Sequence, residues 1–472
     1  MFNYIKIISI LYFFINIPYS QSYFNLNPTK RLLFEKKRIF SNDYQIKKNA
    51  PIKITFNQSF FFNTNLPNLE NLNGLYVPKG IGKRSSLIFY HISKYFEMSL
   101  EPRIIQLYQY NDYSFEKPAP FNVLNDVPLS KEQFQGLGFI DNFGLKFNYK
   151  DFEIGYGNWD QWWGPGIHSG IIMTNNSTGM RHLTLGTKSF IPLANNILID
   201  FNFKQYDHFY NELGAKYFHS LYSLRLKYLN YEFGLAKSIL SGGYPEIKWN
   251  YFDAFKSIIP HKKDIYWDYI NDFYVVLETS ESGIVVFVNL ALPNRTFNNK
   301  NPKFYDDHSR GSNIGFRKHG AFGNENVLFG FEYTRLLQSI YYNIIPSSNW
   351  YDNIKYNYSA FRGRRWAAHS GTDSDDFIFY GGLLNDKYSA ILGWNYERHG
   401  AGNHFPPEVK LESRFSFSVK IKSMWLYIYY EDEYFEHYGF VDDNLNVWTE
   451  TFEKGSIQRT KTLLFSIEYR IN

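Results

Sequence analysis

The 472-residue chain contains no cysteine. Disulfide bonds, a cysteine-ligated zinc site and a thiol nucleophile are therefore excluded. Long hydrophobic runs are also missing beyond residue 17, so the chain cannot form a bundle of membrane helices, each of which needs about 20 apolar residues. Neither sign of charge dominates: 50 Lys and Arg stand against 45 Asp and Glu, and the net charge of +5 does not indicate nucleic-acid binding.

Aromatic residues are abundant instead. The chain has 40 Tyr, 45 Phe and 10 Trp, which together make 20% of its residues. Its mean hydropathy is nevertheless negative, at −0.39. Intrinsically disordered chains are poor in aromatic residues, so this composition indicates a folded protein that combines many large apolar side chains with many polar ones.

The first 20 residues have the layout of a secretory signal peptide. Lys6 supplies a positive charge, residues 7–17 form an apolar core, and residues 18–22 are small or turn-forming. The alternative is a buried N-terminal helix or strand. An exported chain without cysteine is compatible with a protein of the bacterial envelope.

Residues 21–50 form a separate N-terminal segment whose central part is basic and amphipathic. Leu32, Leu33 and Phe34 stand beside Lys36 and Lys37. This pattern favours either a periplasmic or membrane-surface helix or a solvated linker before the folded body, and the sequence leaves both open.

Beyond residue 50 the dominant period of the sequence is two, which is typical of β-strands. The last strand places alternate apolar residues on one face: Leu463, Phe465, Ile467, Tyr469 and Ile471. The segment 377–396 reads as a hairpin that turns at Asn385 and Asp386, a pair that favours positive φ. Further candidate strands are residues 85–100, 137–149, 151–157, 196–206, 221–238, 273–290 and 325–337.

Alternating strands of this kind build either a soluble sandwich or a transmembrane barrel. Export, strand lengths of about 10 residues and aromatic residues near the strand ends favour the barrel. We therefore predict an all-β fold in which residues 51–472 form one transmembrane antiparallel β-barrel of about 16–18 strands, located in lipid in the outer membrane.

One motif goes beyond what a lipid-facing strand needs. Trp159, Trp162 and Trp163 crowd against the turn Gly164-Pro165-Gly166, and an apolar run then leads to Asn175 and Asn176. Tryptophan faces can stack on sugar rings, and asparagine amides can bind hydroxyl groups. The same tryptophans could instead belong to an interfacial aromatic belt beside a hairpin turn.

This motif resembles the signature of the capsule-assembly Wzi family of outer-membrane proteins, in which a W-G-P-G element precedes a Leu/Ile-rich run and paired asparagines. Segments 74–111 and 139–157 are similar to earlier parts of that family. A later Arg–His–Gly–Asp element is matched by Arg362, Arg364 and Arg365, followed by residues 369–375. The resemblance covers about residues 70–400, and its looser parts are the Ser-Thr-Gly after Asn176 and the Tyr-Val-Pro before Lys79.

The resemblance implies a monomeric outer-membrane barrel of about 18 strands. Members of the family act as lectin-like anchors or organisers of capsular polysaccharide at the cell surface and do not synthesise it. No cofactor and no metal site are assigned, and the sequence leaves open whether a metal assists binding. The candidate glycan-binding residues are Trp159, Trp162, Trp163, Asn175, Asn176, Arg364, His369, Asp373 and Asp375.

An enzymatic function finds weak support in the sequence. His168 precedes Ser169 and His369 precedes Ser370, but adjacent side chains of a strand point to opposite faces and cannot form a nucleophile–base pair. The acidic segments 373–376 and 306–308 could bind calcium, although the spacing of an EF-hand is absent.

The main alternative to polysaccharide anchoring is an outer-membrane porin or transporter for small solutes or oligosaccharides. A barrel of this size encloses a lumen, and inward charges could set its ionic selectivity. The same charges could equally fill a closed lumen with ion pairs. They are Arg414, Lys420, Lys422, Glu468 and Arg470.

Overall fold

The computed structural model shows one closed antiparallel β-barrel. It describes residues 28–41, 50–67, 70–72, 74–110, 139–246, 248, 250–251, 253, 267–293, 310–337, 350–351, 353–402, 406–440 and 457–471. The predicted signal peptide lies outside the described residues. Among the described residues, no helix is long and apolar enough to cross a membrane.

The described strands, numbered in chain order, have the following bounds: β1 Ala50–Asn63, β2 Gly80–Ile92, β3 Phe96–Tyr110, β4 Phe139–Tyr149, β5 Phe152–Gly157, β6 His182–Thr187, β7 Ile191–Ala194, β8 Ile197–Tyr206, β9 Phe209–Tyr210, β10 Lys216–Tyr228, β11 Tyr231–Gly242, β12 Trp267–Thr279, β13 Ile284–Pro293, β14 Gly311–Ala321, β15 Asn324–Arg335, β16 Ala360–Phe361, β17 Arg364–Arg365, β18 Ser374–Leu384, β19 Tyr388–His399, β20 Glu408–Ile421, β21 Met424–Glu436 and β22 Gln458–Ile471.

Eighteen of these strands form the barrel wall, and the seam between β1 and β22 closes it. Strand β7 pairs with β8 and strand β9 pairs with β10, so these two short strands prolong the wall without adding to its circumference. Strands β16 and β17 form a separate two-stranded ribbon. The predicted all-β transmembrane barrel of 16–18 strands is confirmed.

The outer face of the wall is apolar and the inner face is polar. In β5, Phe152, Ile154 and Tyr156 are 44%, 48% and 42% exposed on the outside. Between them Glu153 points inward, where its carboxylate accepts a hydrogen bond of 2.9 Å from the ammonium of Lys146. This period-two alternation is what a strand needs when one of its faces meets lipid and the other the barrel interior.

The two ends of the barrel differ in the length of their connections. Tight turns of two to four residues join β2 to β3, β4 to β5, β10 to β11, β12 to β13, β14 to β15, β18 to β19 and β20 to β21. Lys150, Leu229 and Lys422 adopt positive φ in three of these turns. The connection from β6 to β8, which contains β7, also lies at this end. The long connections lie at the opposite end, which in outer-membrane barrels is the extracellular one.

The predicted hairpin turn at Asn385 and Asp386 is present, but its geometry differs from the expected one. Positive φ is found at neither residue. Instead, the side-chain oxygen of Asn385 accepts hydrogen bonds from the backbone N–H groups of Lys387 and Tyr388, at 2.8 and 2.9 Å. The turn is thus an Asx turn held by a side chain.

A helix, α1 (Pro28–Ser41), crosses the lumen at the tight-turn end. Its apolar residues Leu32 and Ile39 are seven positions apart, which places them on one face, and they are 2% and 1% exposed against apolar groups of the inner wall. The helix is the short N-terminal helical segment that the sequence predicts.

The charges of α1 pair with the barrel. Lys30 reaches Glu468 on β22 at 2.9 Å, and Arg38 pairs with Glu278 on β12. In the middle of the helix, buried Glu35 accepts hydrogen bonds from Arg317 at 2.9 Å and from His319 at 2.7 Å. Lys30 and Arg38 are therefore engaged with lumen-facing side chains, whereas Lys37 forms a solvent-exposed pair with Asp386 in the turn after β18.

We predict that Glu35→Gln loosens α1 from the barrel, because the substitution leaves the buried guanidinium of Arg317 without one of its two carboxylates. Breaking a buried pair of this kind costs about 3–5 kcal/mol. Amide hydrogen exchange of residues 28–41 in the full chain measures the effect. The matched control is Lys37→Gln, whose ion pair with Asp386 is solvent-exposed and should matter little. Equal exchange in the two variants would contradict this prediction.

Acidification should loosen the helix in the same way. Burial alone would raise the pKa of Glu35, but Arg317 and His319 outweigh it and hold the pKa well below its ordinary value of 4.5. A lowered pKa means that the carboxylate stabilises the docked helix fully above pH 4.5 and loses this contribution as the pH falls below that value. The protection of the α1 amides, relative to the intrinsic exchange rate at each pH, should therefore decrease below pH 4.5 in the wild type, and Glu35→Gln should abolish that decrease.

Candidate functional site

Three connections from the long-loop end fold back into the barrel instead of leaving it. We call them inner loop 1 (residues 64–79, between β1 and β2), inner loop 2 (158–181, between β5 and β6) and inner loop 3 (350–373, before β18). Most of their described residues are buried. Together with α1, they fill the described interior of the barrel.

Inner loop 2 is fixed to the opposite wall by its backbone. The N–H groups of Ile167 and His168 donate to the carboxylate of Glu332 on β15, at 2.8 and 2.9 Å. The side-chain amide of Asn313 on β14 donates to the carbonyl of Ser169 at 2.9 Å. Buried backbone groups must find partners, and polar side chains on the inner wall supply them here.

Inner loops 2 and 3 bind each other across the lumen. The N–H of Thr174 donates to the carbonyl of Trp366 at 2.8 Å, and the hydroxyl of Thr174 donates to the carbonyl of Ala367 at 2.6 Å. Around these bonds lies the largest apolar cluster of the described chain, which includes Trp163, Ile171, Met173, Trp350, Tyr356 and Trp366. The lumen thus has a packed core of its own.

The three tryptophans of the W-G-P-G motif lie in this interior. Trp159 is fully buried, and its indole N–H donates to the hydroxyl of Ser99 on β3 at 3.2 Å. A Cβ at Gly144 would come within 2.2 Å of the Trp159 ring, so the glycine makes room for it. Trp163 is 9% exposed within the apolar cluster, and Trp162 is half-buried with the guanidinium carbon of Arg31 3.8 Å from its ring centre.

The paired asparagines meet inner loop 1 at Asn71. The side-chain oxygen of Asn176 accepts from the N–H of Asn71 at 3.1 Å, and the amide of Asn175 donates to the carbonyl of Asn71 at 3.4 Å. The amide of Asn71 in turn lies 3.4 Å from Nδ1 of His369. The structure therefore brings Asn175, Asn176 and His369 together around one residue that the sequence analysis did not select.

Arg364, Asp373 and Asp375 have separate partners. Arg364 is 2% exposed and donates to the carbonyl of Leu75 at 3.0 Å. Asp373 accepts from the N–H of Gly402 at 3.0 Å, and Asp375 accepts from the guanidinium of Arg398 at 2.8 Å. All three hold loop or strand ends at the long-loop end of the barrel. Whether any of the nine predicted residues contacts a glycan stays a prediction.

A cluster of histidines and carboxylates lies beside the asparagines. His168 and His369 stand edge to face with ring centres 4.5 Å apart. Nε2 of His168 lies 3.2 Å from one carboxylate oxygen of Asp376, and Nε2 of His369 lies 3.4 Å from the other. Glu70 and Glu397 approach His369 from two further sides, at 3.9 and 4.0 Å. These residue types at these distances could hold a metal ion.

Lys410 on β20 stands in the centre of the neighbouring acidic groups. Its ammonium pairs with Glu70 and lies 3.5, 3.2 and 3.3 Å from carboxylate oxygens of Glu397, Glu412 and Glu433. Burial raises the pKa of the loop residue Glu70 to about 8, against the lowering effect of Lys410 and with the raising effect of Glu397. Four carboxyl groups thus surround one ammonium group in this part of the lumen.

The two His–Ser pairs make no catalytic arrangement. The ring of His168 contacts Asp376, Asn395 and Arg414, and Ser370 accepts a hydrogen bond from Ser374. Burial, His369 and Arg414 together hold the pKa of His168 well below its ordinary range. The imidazole is thus a neutral link between Arg414 and Asp376.

Sequence reasoning missed Glu70, Glu397 and Lys410, and it named Asp376 only as part of a segment that could bind calcium. The alternation of side chains along a strand could have predicted one of these residues, because Asp375 and Asp376 must face opposite sides of β18. Asp376 is the inward one, in contact with His168, whereas the sequence analysis selected Asp375. The approach of Glu70 and Glu397 depends on contacts between distant parts of the chain, which local patterns do not encode.

Comparisons with known proteins identify the fold. No protein-family model matches the chain, and no curated protein sequence matches it. Among solved structures, it is similar to Wzi of Escherichia coli, an outer-membrane protein involved in group 1 capsule assembly and described as a carbohydrate-binding β-barrel: the TM-score is 0.59, the identity is 11%, and 88% of this chain and 84% of Wzi are covered.

Porins with weaker similarity are also found. OccAB3 of Acinetobacter baumannii has a TM-score of 0.48 and 9% identity, over 90% of this chain and 100% of the porin. OprD of Pseudomonas aeruginosa has a TM-score of 0.45 and 6% identity, over 89% of this chain and 94% of the porin. The similarity to Wzi, at 11% identity, shows a shared outer-membrane barrel fold and does not assign the chain to a family.

We predict that Trp159→Ala destabilises the barrel by about 3–5 kcal/mol, because it leaves a cavity between the wall and inner loop 2. Unfolding by urea in lipid vesicles measures the loss. The matched control is Trp394→Ala, since Trp394 is 44% exposed on the outer face and its removal opens no internal cavity. Equal losses in the two variants would show that Trp159 does not pack as described.

Proposed function

We propose that this protein is an outer-membrane barrel that binds and retains capsular or other extracellular polysaccharide at the cell surface without catalysing a reaction. The observation that carries the proposal is the filled lumen. Inner loops 2 and 3 bind each other across the barrel, and α1 closes its tight-turn end. Loops and a helix that occupy the lumen in this way favour a role for the long-loop end of the barrel over the conduction of solutes.

The residue types in three long connecting segments support glycan binding. In the sequence, residues 294–309 lie between β13 and β14, residues 338–349 lie between β15 and inner loop 3, and residues 441–456 lie between β21 and β22. They contain aromatic residues beside asparagines and aspartates, for example Tyr341, Tyr342 and Trp448. Aromatic faces stack on sugar rings, and amides and carboxylates bind hydroxyl groups. The similarity to the Wzi fold is consistent with this role.

In cells, deletion of the gene should lower the amount of polysaccharide attached to the surface and raise the amount shed into the medium. Retention by a surface protein gives this result because synthesis continues while anchoring is lost. Quantifying both fractions, with re-expression of the full chain as the control, checks the prediction. Unchanged cell-attached polysaccharide with none shed would exclude the proposed function.

The purified protein should bind polysaccharide extracted from the same cells, and the double substitution Tyr341→Ala and Tyr342→Ala should weaken binding by about 2–10-fold per stacking contact, as contacts of about 0.5–1.5 kcal/mol imply. Trp394→Ala, on the lipid-facing side, should leave binding unchanged. In planar bilayers the same protein should show no steady conductance. Channels of porin size would support the alternative of a transporter for small solutes.

A further inference from the structure

We infer that the lumen of this barrel contains a binding site for one divalent transition-metal ion, formed by His369, Asp376, Glu397 and Glu70. The inference rests on the arrangement of four ligand atoms and does not depend on polysaccharide binding. The sequence analysis assigned no metal site.

The ligand atoms converge from four separate segments. Nε2 of His369, in inner loop 3, lies 3.4 Å from Oδ2 of Asp376 on β18 and 4.0 Å from Oε2 of Glu397 on β19. Oε2 of Glu70, in inner loop 1, lies 3.9 Å from the same nitrogen. Four ligands bound tetrahedrally at about 2.1 Å are roughly 3.4 Å apart, so a small inward movement suffices to place an ion between them.

Three of these atoms are deeply buried and lack a hydrogen bond. They are Nε2 of His369, Oδ2 of Asp376 and Oε2 of Glu397, in residues that are 2%, 1% and 0% exposed. The ammonium of Lys410 lies 3.5 Å from Oε2 of Glu397 and is the positive charge nearest to that oxygen among those described. Leaving buried polar atoms unsatisfied is costly, and each unsatisfied atom in a native structure needs a reason. A shared cation satisfies all three at once.

In Asp376 and Glu397, the second carboxylate oxygen already has a hydrogen-bond partner. This bond orients the remaining oxygen toward the site. Oδ1 of Asp376 accepts from the amide of Asn395 at 2.6 Å and faces Nε2 of His168 at 3.2 Å. Oε1 of Glu397 accepts from Nε2 of His399 at 2.8 Å. Outer contacts of this kind fix the orientation of ligands in metal sites.

The local charge balance favours a cation. The described side chains that converge here include six carboxyl groups (Glu70, Asp376, Glu397, Glu412, Glu431 and Glu433), and the basic groups that pair with them include Lys410, Arg414 and His399. Uncompensated charge in a low-dielectric interior is strongly unfavourable, so a divalent ion would relieve part of the excess.

The donor set indicates which class of ion fits. One imidazole nitrogen with three carboxylate oxygens suits zinc or manganese, whereas calcium prefers oxygen ligands alone. Binding through Nε2 places the proton of His369 on Nδ1, 3.4 Å from the amide of Asn71. A turn of that amide would bring its own unpartnered oxygen into the acceptor position, at the expense of its bond to the carbonyl of His168.

A bound ion would link inner loops 1 and 3 to the barrel wall. Its ligands come from inner loops 1 and 3 and from two neighbouring strands, only two residues from the long-loop ends of those strands. Because the ion binds the folded arrangement alone, it should stabilise the inner loops inside the lumen.

The test uses the purified full-length barrel in detergent, stripped with a chelator and then titrated with Zn²⁺ and with Mn²⁺. We expect one ion per chain. His369→Ala and Asp376→Asn should weaken binding at least ~100-fold, since loss of a mere outer-shell partner already costs 10–100-fold. Matched controls are His208→Ala and Asp253→Asn, which change the same residue types outside the cluster and should bind like the wild type.

Folding of each variant is checked by the heat-dependent shift of a barrel in electrophoresis. X-ray absorption of the zinc-loaded wild type needs no variant and should show one imidazole and three oxygen ligands. Zinc should also raise the unfolding temperature of the wild type and of the controls but not of His369→Ala or Asp376→Asn. Failure of the wild type to bind either ion, equal binding by variants and controls, or a zinc spectrum without imidazole would overturn the inference.

Discussion

The hydrogen-bonded seam between β1 and β22 is the constraint on which the rest of this structure depends. Within the hydrocarbon of a membrane, backbone N–H and C=O groups can be satisfied only by other strands, so an antiparallel sheet must close on itself. Closing with eighteen strands creates a lumen that wall side chains alone do not fill, because a barrel filled by its own side chains has about eight strands. The inner loops and α1 are a consequence of that circumference.

The polarity of the wall then decides how the interior is filled. Alternation sends apolar side chains to lipid and polar ones inward, and the inward groups become the partners of whatever enters the lumen. Glu332 shows the principle, since its carboxylate accepts from two backbone amides of inner loop 2 and also pairs with Arg317, which holds Glu35 of α1. One wall residue thus connects loop, wall and helix. The abundance of aromatic residues has two origins as well: exposed rings on the outer face and packed rings, such as Trp159 and Trp366, in the lumen.

Much of the fold could be predicted from the sequence because it follows from local patterns. The period of two indicated strands, and the contacts of Arg414 with His168 and of Glu468 with Lys30 confirm that these residues face inward. Residues 85–100, 221–238 and 273–290 were each predicted as one candidate strand. In the structure each range contains a tight turn and parts of two strands. The turn at Leu229 has no glycine, and the cross-strand pairing that stabilises it is not visible in a local pattern.

The sequence could not predict whether a loop enters the lumen or points outward, because contacts between distant parts of the chain decide it. Inner loop 2 enters the lumen because Glu332, 164 residues after His168, accepts its backbone amides. The sequence marked the loop as unusual through its tryptophans and glycines, but nothing within the loop states whether it points outward or inward. The acidic partners of His369 raise the same difficulty, as Glu70 and Glu397 lie in elements far from it in the chain.

The attachment of inner loop 2 has a mechanical consequence. The loop leaves the wall at β5 and is fastened at β14 and β15, nearly half the circumference away. It therefore works as a cross-brace, and the hydrogen bonds at its far end oppose any flattening of the circular cross-section. A cylinder braced across its diameter keeps its shape under lateral pressure from the bilayer, and the positions of the loops at its rim relative to one another are kept with it.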